Sequence, residues 1–110
     1  MQKGENRRFK RIDLRAPVRY QVRGRLDFDN GVSDNISEGG LAFSAIKFVP
    51  PSTPVMLEIN LLQRMLCPIG RVSWCQPLPH SDRSRLGVEF VEFSSSDRDF
   101  LSDYINMKSG

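Results

Sequence analysis

At 110 residues, 39% hydrophobic and 26% charged, the chain has room for one domain with one modest core, in the proportions of an ordinary globular protein. No apolar run approaches the ~18 residues a bilayer crossing needs, and no apolar segment follows the N-terminal charges, so neither membrane insertion nor a secretory signal is expected and the cytoplasm is the expected compartment. The net charge of +3 conceals an asymmetry: residues 1–25 carry nine Lys and Arg against Glu5 and Asp13, which is +7 and leaves −4 for the remainder, so one end attracts anions while the body is mildly acidic.

Residues 1–12 are polar and without usable periodicity, and read as a flexible basic arm in which Arg7-Arg8-Phe9-Lys10-Arg11 sets four cations around one aromatic. Ala16, Val18, Tyr20 and Val22 then alternate with polar residues, the period of a half-buried strand, with Pro17 near its start, where a proline is tolerated. Asn30-Gly31 is a hairpin signal that should end this strand. A short second strand over residues 32–36 leads into a tight turn, Ser37-Glu38-Gly39-Gly40, and a third strand carries Leu41 and Phe43 on one face. Pro50-Pro51-Ser52-Thr53-Pro54 is a rigid connector. Val55, Leu57, Ile59 and Leu61 alternate most clearly of all. Residues 66–75 form the next strand, with Val72 and Trp74 on one face, and Trp74 is assigned to the barrel core in preference to the rim on the site side. A polar loop from Pro77 to Ser84 precedes a last strand with Leu86, Val88 and Phe90 inward.

At Ser94 the period changes. Ser94, Ser95 and Ser96 offer N-caps ahead of an early Asp97, and Phe100, Leu101, Tyr104 and Ile105 form a helical stripe; Asp97, Asp99 and Asp103 are expected on its solvated face. The fold class is mainly β, a small six-stranded antiparallel barrel with a C-terminal helix. It forms a single domain over residues 1–110, with the arm at 1–12, the barrel at 13–93 and the helix at 94–108.

The chemistry concentrates in two short stretches. Arg7 and Arg11 offer planar, forked, permanently charged groups that can grip a phosphate or a guanine edge with paired hydrogen bonds. Asn35 and Ser37 present short polar side chains that can bond a ligand or their own turn, and Gly39 and Gly40 permit positive φ and close backbone approach. Cys67 and Cys75, eight residues apart in strand-like sequence, would lie ~26 Å apart at ~3.3 Å per residue, too far for a disulfide, and with the lone His80 they fall short of a zinc site. Buried or half-buried free thiols are expected. No metal site and no catalytic constellation is expected, so the chain is not read as an enzyme.

Arg7 to Arg11, spaced RxxxR, followed by Asn35-Ile36-Ser37-Glu38-Gly39-Gly40, spaced [D/N]xSxxG, resembles the PilZ domain family, with further similarity through Gly70-Arg71-Val72-Ser73-Trp74, Leu86-Gly87-Val88-Glu89-Phe90 and the closing helix. The resemblance implies a receptor for the bacterial second messenger cyclic di-GMP, with no other cofactor, in which Arg7, Arg11, Asn35, Ser37 and Gly40 hold guanines and phosphates. Arg8 is an additional candidate phosphate contact and Gly39 completes the turn. Asn35 stands where many relatives have Asp; an amide offers guanine one acceptor fewer, so affinity is expected to be lower, with Asp34 able to compensate. With no output domain in the sequence, a free-standing protein is expected to pass its signal to a downstream protein partner through a remodelled surface. A ligand-independent interaction module on the same fold is the alternative. Most aromatics fall on core-like alternating positions, so a nucleic-acid polymer is not an expected partner.

Overall fold

The structure is a computed structural model and describes residues 9–109. The expectations placed on Arg7 and Arg8 therefore lie outside the described residues. Eight strands and one helix follow in order: β1 (Ile12–Asp13), β2 (Pro17–Val22), β3 (Asp29–Ser37), β4 (Gly40–Ala45), β5 (Pro54–Leu61), β6 (Arg64–Leu66), β7 (Ile69–Pro77), β8 (Ser84–Glu92) and α1 (Ser95–Ser109). Six of them pair antiparallel in the cycle β3-β2-β5-β7-β8-β4, which the β3–β4 pairing closes into a barrel; β1 adds to β3 and β6 to β5. The expected six-stranded barrel with a terminal helix is what the chain forms, with two short strands in addition.

Alternation explains the wall. Val18 and Tyr20 on β2, Val55, Leu57, Ile59 and Leu61 on β5, and Leu86 and Val88 on β8 all point inward and are buried. Burying such side chains contributes roughly 1.5–3 kcal/mol each. Inside, the Tyr20 and Phe43 rings meet with centroids 5.2 Å apart. The Tyr20 hydroxyl accepts a hydrogen bond from the Ile46 amide at 3.3 Å, and burial raises the phenol's pKa.

One buried polar side chain repairs a break in the wall. Between β1 and β2 the chain leaves the ladder, and the Ser33 hydroxyl, fully buried, accepts from the Ala16 amide at 2.8 Å and donates to the Leu14 carbonyl. Two backbone groups that the break would leave unpaired are thereby satisfied.

Helix α1 begins as its sequence suggests, with the Ser94 hydroxyl accepting from the Asp97 amide at 3.1 Å. It packs Leu101, Tyr104 and Ile105 onto the core. Asp97 is not on a solvated face. It takes the Arg64 guanidinium at 3.0 Å and the Cys67 amide at 3.4 Å, and Arg64 also lies 5.0 Å over the Phe100 ring, so the helix start is tied to the β5–β6 hairpin.

Four local expectations differ from the structure. Asn30-Gly31 is not a turn: both residues pair within β3, Asn30 opposite Arg19 and Gly31 opposite Val18. The reversal falls earlier, at Arg23-Gly24, where Gly24 has φ +91°, while Gly31 is small because a Cβ there would strike the Ser44 carbonyl. The stretch 66–75 is two strands, since Cys67-Pro68 interrupts it. Trp74 and Val72 do not share a face: Val72 pairs with Val88 and Trp74 with the very next residue, Gly87, so a bulge at Ser73 reverses the alternation. Cys67 and Cys75 are free, and Cys67 is exposed rather than buried.

Candidate functional site

Ser37 and Gly40 are cross-strand partners, so the β3–β4 connection is a two-residue loop of Glu38 and Gly39. Its shape does not depend on positive φ: among the described glycines only Gly24 takes it. What the loop requires is room. A Cβ on Gly40 would collide with the Val88 carbonyl of the neighbouring strand, and one on Gly39 would come within 2.9 Å of the Phe9 ring. The Phe9 ring therefore rests against the turn and sets the end of the arm beside it.

Arg11 joins the two motif stretches. Its Nε donates to Asn35 Oδ1 at 2.9 Å and one terminal nitrogen donates to Ser37 Oγ at 3.0 Å. Residues 35 and 37 both face outward on β3, so their side chains stand in line and one guanidinium spans them. Ser37, itself buried, also accepts from the Gly39 amide at 3.1 Å, which braces the loop from within. Partial burial of Arg11 lowers its pKa from the ordinary guanidinium value, as removal from water disfavours the cation. Asp34, beside Asn35, accepts from Arg85 Nε at 2.8 Å.

A residue assigned to the core belongs to this surface instead. Asp13, Asn35, Ala42, Gly87 and Trp74 are successive cross-strand partners over five strands. Between Asn35 and Trp74 in this row stand only the small residues Ala42 and Gly87, both buried. The Trp74 ring rests on Gly87, which has no room for a Cβ beneath it, is 41% exposed, and has the Arg85 guanidinium 5.9 Å from its centroid. The sequence signal that could have found it is Gly87 itself, a glycine amid a strand where a flat group needs close approach.

Arg11, Asn35, Ser37, Gly39, Gly40 and Trp74 thus occupy one face of β1, β3, β4, β8 and β7. The arrangement offers a forked cation, an amide, a hydroxyl and an aromatic plane, suited to a flat ligand with anionic and hydrogen-bonding edges. Among the described residues no group of His, Cys, Asp or Glu could hold a metal ion, and no helix is long and apolar enough to cross a membrane.

A family model described as PilZ domain matches residues 5–107. No curated protein sequence matches the chain. Among solved structures the chain is similar to the Bacillus subtilis inhibitor of motility MotI/DgrA, at 22% identity and TM-score 0.80 over 99% of this chain and 52% of that one, so it spans about half of that protein. It is similar to the PilZ domain with c-di-GMP of YcgR from Escherichia coli at 14% identity and TM-score 0.71, covering 91% of this chain and 88% of that one. It is also similar to the PilZ domain of CeSA from a cellulose synthesizing bacterium at 17% identity and TM-score 0.62, over 92% and 99%. At these identities the likeness is one of fold.

Proposed function

The chain belongs to the PilZ domain family, and from that premise we propose that it is a cyclic di-GMP receptor which signals to a partner protein through the surface around its ligand. The observation that carries this is the Arg11 guanidinium spanning Asn35 and Ser37 at 2.9 and 3.0 Å. Residues from two motifs 24 and 26 positions apart meet within hydrogen-bond reach, on the open side of the barrel wall.

In this reading Arg11 grips a guanine edge or phosphate, with Arg7 and Arg8 of the arm supplying further cations. Asn35 bonds a second guanine edge, and Ser37, Gly39 and Gly40 form the turn against which the ligand lies. Trp74, at the other end of the cross-strand row that starts at Asn35, supplies a stacking plane. The YcgR domain solved with c-di-GMP shares the fold, and the motility inhibitor shares it as part of a longer chain. Both support a receptor-adaptor over a reaction, and we assign the chain no catalytic chemistry.

Isothermal titration with cyclic di-GMP tests the proposal. Saturable binding is expected in the wild type, weakened by about 1–3 kcal/mol in Arg11→Ala. No heat and no thermal shift at ~100 µM ligand, enough to fill a site of ~10 µM or tighter, would overturn it. Wild-type affinity in Arg11→Ala would remove Arg11 from the site.

A further inference from the structure

A groove of about 340 Å³ opens on the wall of β2, β5 and β7, with Pro54, Met56 and Ile69 on its outer face beside the inward-facing pair Val22 and Val55. Met56 leaves 49% of its surface in water. Its lining charges are Arg23 and Arg25, on the β2–β3 turn. That turn is pinned: the Arg23 amide donates to the Pro54 carbonyl at 3.1 Å and the Arg25 amide to the Val22 carbonyl at 3.0 Å. The Gln21 side chain holds the Leu26 carbonyl at 2.9 Å. Arg71, the cross-strand partner of Pro54, adds a third guanidinium beside the groove. Among the described residues, Arg23, Arg25 and Arg71 form no ion pair, whereas the nearby Glu58 is already held by Arg19 at 2.9 Å. Glu89 and Glu92 lie on the far side, opposite Arg71 and Ile69. The groove is therefore apolar along its length, cationic at the turn and anionic toward β8.

We infer that this groove docks a protein segment that pairs an acidic cluster with a large apolar side chain. The inference deepens the adaptor reading by giving the partner a place and a chemistry. Guanidinium groups that pair with no carboxylate among the described residues, displayed on a braced turn, are free to take carboxylates with forked hydrogen bonds. An apolar floor rewards a buried side chain and gives nothing to a phosphate. A bilayer is flat and would leave the concavity unfilled.

The groove is also joined to the candidate nucleotide surface. Ser37, Gly40, Glu89, Arg71 and Pro54 are successive cross-strand partners, and Arg23 binds Pro54 in turn. One hydrogen-bonded row thus runs round the barrel from the motif turn to the arginine turn.

The test is NMR titration of the wild-type protein with a synthetic peptide alternating glutamate with leucine, its lysine–leucine counterpart, and phosphatidylglycerol vesicles. Shifts at Met56, Ile69 and the 23–25 turn are expected with the acidic peptide alone, and Arg23→Glu/Arg25→Glu should lower its affinity about tenfold or more, as for a rim charge pair. The double variant alters only exposed side chains, and a matching circular-dichroism melt establishes that it is folded. It should still bind cyclic di-GMP as the wild type does, so loss of peptide binding and loss of nucleotide binding are separate results. No acidic-peptide shifts, equal binding of the basic peptide, binding to vesicles alone, or an unchanged affinity in the double variant would each overturn the inference.

Discussion

Trp74 shows how one residue's role is decided by a feature a single side chain cannot reveal. Its alternation with Val72 reads as inward, and one extra residue in β7 turns it out. The half-exposed ring lies outside the core cluster but packs on Gly87, so Trp74→Ala is expected to lower the thermal midpoint by only a few degrees. The same change should weaken cyclic di-GMP binding by about 1–3 kcal/mol, the range for loss of one base–aromatic stack. Titration calorimetry and a melting curve of the same variant check both halves, and a large stability loss with intact affinity would make the ring structural. Arg11, Asn35 and Ser37 were legible in the sequence because their spacing is that of a known signature. The Ser33 bridge was not, because it depends on where β1 hands over to β2, which no local pattern encodes.

At the scale of elements, the strands were legible because side chains alternate across a two-sided wall, and the helix because caps and a 3.6-residue stripe agree. Turns were legible only in part. Asn30-Gly31 has turn chemistry but serves close strand approach, and the neighbouring glycines 39 and 40 are distinguished only by what stands against each. That difference has a consequence. In Gly40→Ala the new methyl meets the Val88 carbonyl, which cannot swing aside without breaking the β4–β8 ladder, and a stability loss of about 1–3 kcal/mol is expected. In Gly39→Ala it meets the edge of the Phe9 ring, which can rotate away, so barrel stability should hold while the arm leaves the turn. Urea unfolding of both variants, with amide exchange across residues 9–13, tests the contrast. Equal destabilisation would show that Phe9 packing supports the barrel.

For the whole molecule, closure is the governing fact. The barrel needs Gly40 to find Glu89 and Val18 to find Ile59, pairings that close long loops before they stabilise anything. Refolding monitored by tryptophan fluorescence in stopped flow is accordingly expected in roughly milliseconds to seconds, the range of non-local β folds; microsecond folding would mean that local structure, not closure, limits the rate. Overall architecture was the most legible level, since composition, strand spacing and a terminal helix leave few arrangements open. Which outer face carries function was the least, because it depends on shear and bulges. The row that joins the motif turn to the arginine turn passes through paired strands at every step, so the distance between those two surfaces is fixed by the spacing of strands, ~4.8 Å at each crossing. The barrel then works as a gauge and not as a lever. On the proposed function it would hold nucleotide and partner at a set separation, with any message carried by the Phe9 contact at the turn or by the charge that a ligand brings, while the frame keeps its length.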